Sequence, residues 1–287
     1  MNDEATSGLI AIFAGGGALP SLVSSAARAG GQETIIFAIA GEADAASFAG
    51  SPVHMLRWGQ IGRMFRLAKN AGCRRAIFIG TVARRPDFRA VLPDSGTLKL
   101  LPRILRLMRG GDDGLLSGVA AIFKERGISL VSPLDIAPGL SLEPGCRVGK
   151  PRRHSGSDFA AAHRAAREIG RRDIAQAAVA AGEVIAIEDT GGTDALLARV
   201  AAMRGEGRIG RAGGILVKCM KPQQDLRLDV PTVGPETARL AARAGLDGVA
   251  AEAGRTLLAG RAATLEAFQQ AGLFLYGFTA TDFPRDG

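Results

Sequence analysis

Short apolar runs that end in glycine, each followed by an amphipathic stretch, recur along most of the chain. Residues 9–14 run into Gly15-Gly16-Gly17 and predict a buried strand that turns into a helix over 18–29. A second strand is predicted over 34–39 and a weaker third over 53–56, with a helix over 60–70 behind it. A fourth strand, 75–79, closes at Gly80-Thr81. Helices over 97–109 and 113–125 and a strand over 128–131 follow. Strands that alternate with helices predict a parallel sheet with helices on both faces.

Residues 133–155 hold prolines, glycines and the basic run Lys150-Pro151-Arg152-Arg153, which reads as a linker. Beyond it an alanine-rich segment predicts helix over about 158–181. Strands over 184–187, 215–219, 248–252 and 273–276 then alternate with helices over 193–203, 235–244 and 262–270. The fold class expected is α/β with two α/β domains: a Rossmann-like one over 1–132, the linker over 133–155, and a second over 156–287.

Composition narrows the partners. The net charge is +8, mostly from arginine, which favours acidic or phosphorylated partners or an anionic surface. One Trp and one Tyr leave few platforms for base stacking, so no nucleic-acid partner is expected. Cys73, Cys146 and Cys219 stand far apart, and His54, His154 and His163 are scattered. Neither a disulfide framework nor a zinc cluster is expected, and the compartment reads as reducing and cytosolic. Residues 1–8 are polar and lack signal-peptide character, and no apolar run is long enough to span a bilayer. Any membrane contact is therefore expected to be peripheral.

Gly15-Gly16-Gly17 sits where a strand becomes a helix, a place where backbone N–H groups can hold a phosphate or a sugar-nucleotide. It fits a plain tight turn equally. It is not a dinucleotide fingerprint, because Pro20 stands where the last glycine belongs and no acid ends the second strand. Trp58-Gly59-Gln60 and Gly80-Thr81-Val82 also follow strands, on the rim where open α/β sheets bind ligands. Asp112-Asp113 precede a helix, one as N-cap and the other free to meet a substrate hydroxyl or a metal. Lys99, Arg103 and Arg106 share a helix face among leucines, which fits either a solvated stripe or a helix lying on an anionic bilayer.

The densest chemistry follows the 215–219 strand. Lys218 ends that strand, and Lys221, Gln223, Gln224, Asp225, Arg227 and Asp229 crowd the next loop. Diphosphate cleavage uses such groups. Carboxylates help hold Mg²⁺, lysine or arginine offsets phosphoryl charge, and a carboxylate aligns or deprotonates water. A salt-bridged surface loop is the plainer reading. Glu188-Asp189 and Thr193-Asp194 flank a glycine turn, where Thr193 or Asp194 can cap the helix. Glu252 ends a further strand. If these strands are neighbours, Glu188, Asp194, Asp225 and Glu252 converge.

Residues 14–20, 58–62, 111–116, 173–179, 192–197, 218–234 and 244–254 together resemble the LpxI-type UDP-2,3-diacylglucosamine pyrophosphatases. The stretch from Lys221 to Gly234, KPxQDLRLDxPTxG, is the most specific. The resemblance implies two α/β domains with the active site between them, the second domain being catalytic. It implies Mg²⁺-dependent hydrolysis of UDP-2,3-diacylglucosamine to 2,3-diacylglucosamine 1-phosphate (lipid X) and UMP in lipid A biosynthesis, with water attacking the β-phosphorus. Asp225 is the residue expected to be essential, with Lys218 as the second catalytic group. Asp225, Asp194 and Glu252 are the expected metal ligands. Substrate contacts are expected at Gly15, Gly16, Gly17, Gln60, Thr81, Val82, Asp112, Gln176, Thr193, Lys221, Gln223, Gln224 and Arg227. A cytoplasmic protein touching the inner membrane surface peripherally is expected, and a homo-oligomer is compatible with this.

Two positions depart from the family pattern: Gln223 stands for a glycine, and Gly191 for an acid. The metallophosphoesterases that catalyse the same step need a GNH motif and several histidines, and Nudix enzymes need their own glutamate-rich box. Both are missing from this sequence. The alternative function is a non-catalytic sugar-nucleotide or lipid-binding regulator. A nicotinamide oxidoreductase is disfavoured by Pro20 and the missing acid.

Overall fold

The computed structural model describes residues 8–82, 91–108, 111–151, 155–172 and 174–282, with side chains except at 108 and 111–116. The chain divides into two compact units. The first is Met1–Gly139 with Asp225–Asp229, and the second is Leu140–Gln224 with Val230–Gly287.

The first unit contains β1 (Ile10–Ala14), α1 (Leu19–Ala29), β2 (Thr34–Ile39), β3 (Val53–Leu56), α2 (Ile61–Asn70), β4 (Arg75–Ile79), α3 (Ser95–Met108), α4 (Gly111–Lys124), β5 (Ser129–Leu130) and α5 (Pro133–Ile136). Its sheet has the order β3-β2-β1-β4-β5 and is parallel throughout, as the apolar runs predict. Every residue of the central β1 is buried, which is why IAIFA carries no polar alternation. Register places Phe13 beside Phe37 on one side and Phe78 on the other. The rings stack with centroids 5.2 Å and 4.8 Å apart, and Phe123 of α4 closes edge-on at 5.3 Å. This phenylalanine row is the middle of the first core.

The second unit contains β6 (Gly145–Val148), α6 (Ser155–Arg171), β7 (Ala177–Ala181), β8 (Glu183–Ile187), α7 (Gly192–Gly205), β9 (Ile215–Lys218), β10 (Thr232–Val233), α8 (Pro235–Arg243), β11 (Gly248–Glu252), β12 (Leu257–Leu258), α9 (Arg261–Gln270) and β13 (Phe274–Phe278). The main sheet has the order β6-β13-β11-β9-β7-β8, and β10 and β12 form a small parallel pair. β9, β11 and β13 are parallel, while β6, β7 and β8 run antiparallel to their neighbours.

Two expectations need correction. The helix expected to reach residue 181 stops at Arg171, and AAVAA becomes the strand β7. Alanine favours helix intrinsically. Here β7 is flanked by β8 and β9, so its backbone groups are used on both edges. Its small side chains also let α6 sit close, with Ala162 and Ala166 clustered with Ala178 and Ala180. Tertiary burial overrides propensity. The 133–155 segment, expected as a linker, holds α5 and the edge strand β6, and the division of the chain falls at Gly139/Leu140. Arg152, Arg153 and His154 lie outside the described residues.

Candidate active site

In the first unit the strand ends do gather, but the glycines serve the backbone first. Strand order reverses between β1 and β4, the switch point where open α/β sheets place ligands. Gly16 and Thr81 form an isolated antiparallel bridge there, with N···O distances of 2.7 Å and 2.9 Å, and Gly15 N donates to Ile79 O at 2.9 Å. A side chain on Gly15 would run into the Thr81 carbonyl oxygen. Gly15 and Gly16 are therefore buried, and their N–H groups are spent inside the fold. They act as a close-approach point rather than an open phosphate cradle. Gly17, Thr81 and Val82 are exposed above the bridge.

Gln60 braces its own turn. Its Oε1 accepts from Arg57 N at 3.0 Å and Arg63 Nη1 at 3.3 Å. Asp112 and Asp113, expected ahead of the helix with one as its N-cap, lie within the first turn of α4, which already starts at Gly111, and their side chains lie outside the described residues.

Asp225 and Arg227 also belong to the first unit, where Leu228 packs on the core and fixes the turn. Leu228 N and Asp229 N both donate to Asp225 O, at 2.9 Å and 3.0 Å. This tight turn brings the Arg227 guanidinium round to grip the Asp225 carboxylate: Nη2 lies 2.6 Å from Oδ2, and Nε 2.9 Å from Oδ1. Arg227 N adds a bond of 3.0 Å. The Arg227 side-chain bonds hold the Asp225 carboxyl below its ordinary range despite partial burial, which opposes them. Asp225 is an ionised, pre-oriented carboxylate.

The second unit brings more of the expected residues together. Lys218 ends β9, Gln176 precedes β7, Glu188 follows β8 and Glu252 ends β11. Registers Ala177↔Lys218, Ala178↔Ile187 and Ala251↔Lys218 put all four on one rim of the sheet. Glu188 is buried, 6% exposed, and turns inward. Its Oε1 accepts from the Thr193 hydroxyl at 2.6 Å and its Oε2 from Gln176 N at 2.8 Å. The Gln176 side-chain oxygen accepts from Gln224 Nε2 at 3.3 Å, and Gln224 Oε1 accepts from Lys221 N at 2.9 Å. Thr193, Glu188, Gln176, Gln224 and Lys221 thus form one continuous polar chain. Gln223, the departure from the family pattern, donates from Nε2 to Gly170 O at 2.9 Å, pinning the loop to the end of α6. Lys218 is 7% exposed and donates from Nζ to Thr232 O at 3.0 Å.

Glu188 as the hub is the residue that the sequence reading undervalued. It has the same strand parity as buried Ala186, and that period of two was the available signal. Its neighbour Asp189 instead pairs with Arg199 and accepts from Gly191 N.

The carboxylates expected to hold a metal fall in different units, Asp225 in the first and Asp194 and Glu252 in the second, and each has its own surroundings. Among the described residues no group of three or more His, Cys, Asp or Glu is placed to hold a metal ion. Asp225 is bound to Arg227. Glu252 accepts from Met220 N at 3.1 Å and lies 3.5 Å from Arg255 Nε. Asp194 is exposed in the first turn of α7, where Gly191 is the N-cap and makes no side-chain bond. A thiol nucleophile is also disfavoured: burial, with Glu252 nearby, pushes the Cys219 thiol well up.

Two sequence models match this chain: the LpxI N-terminal domain over residues 9–140 and the LpxI C-terminal domain over residues 144–276. The chain belongs to the LpxI family. A relative named UDP-2,3-diacylglucosamine pyrophosphatase LpxI, from Caulobacter vibrioides, is 39% identical over 284 residues, which cover 96% of this chain and 99% of the relative. The two LpxI domain matches meet beside the Gly139/Leu140 division of the fold. Asp225, Gln176, Thr193 and Lys218 all fall within the C-terminal match.

Proposed function

We propose that this LpxI-family chain hydrolyses the diphosphate bond of UDP-2,3-diacylglucosamine in lipid A biosynthesis, releasing 2,3-diacylglucosamine 1-phosphate and UMP. The observation that carries the reading is end-to-end identity of 39% with the relative of that name. The reading is supported separately by an ionised carboxylate at Asp225 in the first unit and by a polar rim rich in amide and hydroxyl groups in the second.

The proposed chemistry is attack of water on the β-phosphorus. A P–O bond forms between the water oxygen and the β-phosphorus, the bond from the β-phosphorus to the bridging oxygen breaks, and UMP leaves with that oxygen still on its α-phosphorus. Asp225 aligns the water or takes its proton, and Lys218 offsets phosphoryl charge. Mg²⁺ is proposed as cofactor. Mg²⁺ typically takes only one or two protein carboxylates and completes its shell with water and phosphate oxygens. Asp225, an ionised carboxylate, would supply one such ligand by exchanging part of its contact with Arg227. When bound, the ion neutralises diphosphate charge. Gln176, Thr193, Lys221 and Gln224 bind the substrate in this reading, and the protein meets the inner membrane peripherally to reach its lipid.

The test is to incubate purified protein with detergent-dispersed UDP-2,3-diacylglucosamine and Mg²⁺ in ¹⁸O-water. The expected result is UMP release that stops with EDTA, with ¹⁸O in the lipid phosphate. No UMP release removes the enzymatic reading and leaves the binding-protein alternative, and ¹⁸O in UMP moves the attack to the α-phosphorus.

A further inference from the structure

Helix α3 carries two apolar faces, and only one of them is used by the fold. Leu100 is buried in the first core, with Ile104 and Leu107 packed against it. Leu98, Leu101 and Leu105 recur at spacings of three and four and so share a different side of the helix. They are 53%, 37% and 49% exposed, and Leu92 on the approach to the helix is 88% exposed. Four leucines open to solvent on one short stretch exceed the scattered single apolar residues of an ordinary surface.

Within α3 itself the charges are of one sign, while Asp94 ahead of it is occupied in capping α2 and α3. The sequence of α3 holds no acid, and its basic residues are Lys99, Arg103 and Arg106. Arg103 is spent on Glu125, at 2.6 Å and 2.8 Å. Lys99 and Arg106 are exposed, and no ion pair is seen for either among the described residues. Among those residues no helix is long and apolar enough to cross a membrane.

From this juxtaposition we infer that Leu92, Leu98, Leu101 and Leu105, flanked by Lys99 and Arg106, form a docking ridge that inserts shallowly into an anionic lipid bilayer. The leucines enter the boundary between headgroups and acyl chains, and the two cations stay with the lipid phosphates. A ridge of apolar groups beside exposed cations matches an anionic interface, whereas an apolar protein partner would leave the cations without counter-charge. The inference rests on the proposed reading, in which the substrate is a membrane lipid, and it names the surface by which the chain meets that membrane.

The test uses the full chain and sedimentation with vesicles of phosphatidylcholine alone or with phosphatidylglycerol. Two variants are compared: Leu98→Gln/Leu101→Gln/Leu105→Gln, and Lys99→Gln/Arg106→Gln. The wild type is expected to sediment with the anionic vesicles. The leucine variant is expected to bind about tenfold or more weakly, from lost apolar burial. The lysine–arginine variant is expected to lose its preference for anionic over neutral vesicles. Both are expected to keep wild-type UMP release from detergent-dispersed substrate. Unchanged vesicle binding by the leucine variant overturns the ridge. So does a parallel loss of detergent-phase activity, which assigns the leucines to the substrate's own acyl chains. A change from dimer to monomer in sedimentation velocity also overturns it, because the occupant is then a second copy. A wild type that binds anionic vesicles through the ridge but releases no UMP sinks the enzymatic reading alone.

Discussion

The Thr193 hydroxyl lies 2.6 Å from Glu188 Oε1, and this bond ties the start of α7 to the rim of the second sheet. Glu188 holds Gln176 N with its other oxygen. A buried carboxylate that satisfies two donors is stabilising only while both donors are present. Glu188→Ala is expected to leave both unpaired and to cost about 1–3 kcal/mol of stability. Thr193→Val, which removes one donor, is expected to cost about 1 kcal/mol. The two changes share a bond, so the double variant should cost less than their sum. Urea denaturation of the four proteins measures this, and strict additivity would mean that the bond does not form.

Asp225 and Arg227 make a second testable pair. Asp225→Ala is expected to lower turnover by orders of magnitude while leaving substrate binding near wild type, because the change removes the group proposed to act on water. Unchanged turnover would take Asp225 out of the mechanism.

Arg227→Gln bears on the same carboxylate through pH. The guanidinium holds the Asp225 pKa down, so its loss lets that pKa climb towards the ordinary value of about 4. If Asp225 acts ionised, activity is lost as pH falls through its pKa. The acid limb of kcat/KM should therefore move to higher pH in the variant, with the alkaline limb unmoved. An acid limb that stays in place would show that another group sets it.

How much of this was legible in the sequence depends on how each residue reports its surroundings. β1, β2 and β4 were plain because a strand buried on both faces needs an unbroken apolar run, and IAIFA, TIIFAI and RAIFI supply it or nearly so. β7 was hidden because AAVAA reads as helix, and only the close approach of α6 and the flanking strands makes it a strand. β6 was hidden because four residues among glycines and prolines carry no period. Crowding of polar groups made the Lys218–Arg227 loop visible. Yet Gln223 and Gln224 proved to be tied into the fold by hydrogen bonds that sequence distance conceals, 53 and 48 residues away. An acid at a strand end also looks the same in sequence whether it faces an ion or, as Glu252 does, a backbone N–H.

The glycine turn separates two reasons for having glycine. At Gly15 the obstacle is contact, since a Cβ meets the Thr81 carbonyl oxygen across the bridge. At Gly17 nothing lies within 4 Å, and the obstacle is the backbone, with φ at 86°. Gly15→Ala is expected to cost about 1–3 kcal/mol, as overpacking does, and to loosen the Gly16–Thr81 bridge. Gly17→Ala is expected to cost about 1 kcal/mol from strain alone. Amide hydrogen exchange at Thr81 distinguishes them: faster in the first variant, unchanged in the second. Equal protection in both would show that the bridge does not depend on close approach at Gly15.

Asp94 holds two helices at once. Its Oδ1 accepts from Gly62 N at 3.1 Å, Thr97 N at 2.7 Å and Thr97 Oγ1 at 2.8 Å, and its Oδ2 accepts from Arg63 N at 2.7 Å. The donors are first-turn groups of α2 and α3, whose N-terminal N–H groups have no partner within their own helix. A single cap is worth about 1 kcal/mol, so Asp94→Ala, which uncaps both helices, is expected to cost about 2 kcal/mol. Burial raises the Asp94 pKa, but the bonds from Thr97, Arg63 and Gly62 outweigh it and the net direction is down. A depressed pKa makes the charge stabilising above the ordinary value of about 4, and that contribution fades as pH falls through the lower folded value. Asp94→Asn keeps the acceptor oxygen without the charge. The stability gap between wild type and this variant should therefore be full at neutral pH and shrink in acid. Denaturation midpoints of the two proteins taken from neutral pH into acid read it directly, and a gap independent of pH would mean that the ionised carboxylate is not what binds the helix ends.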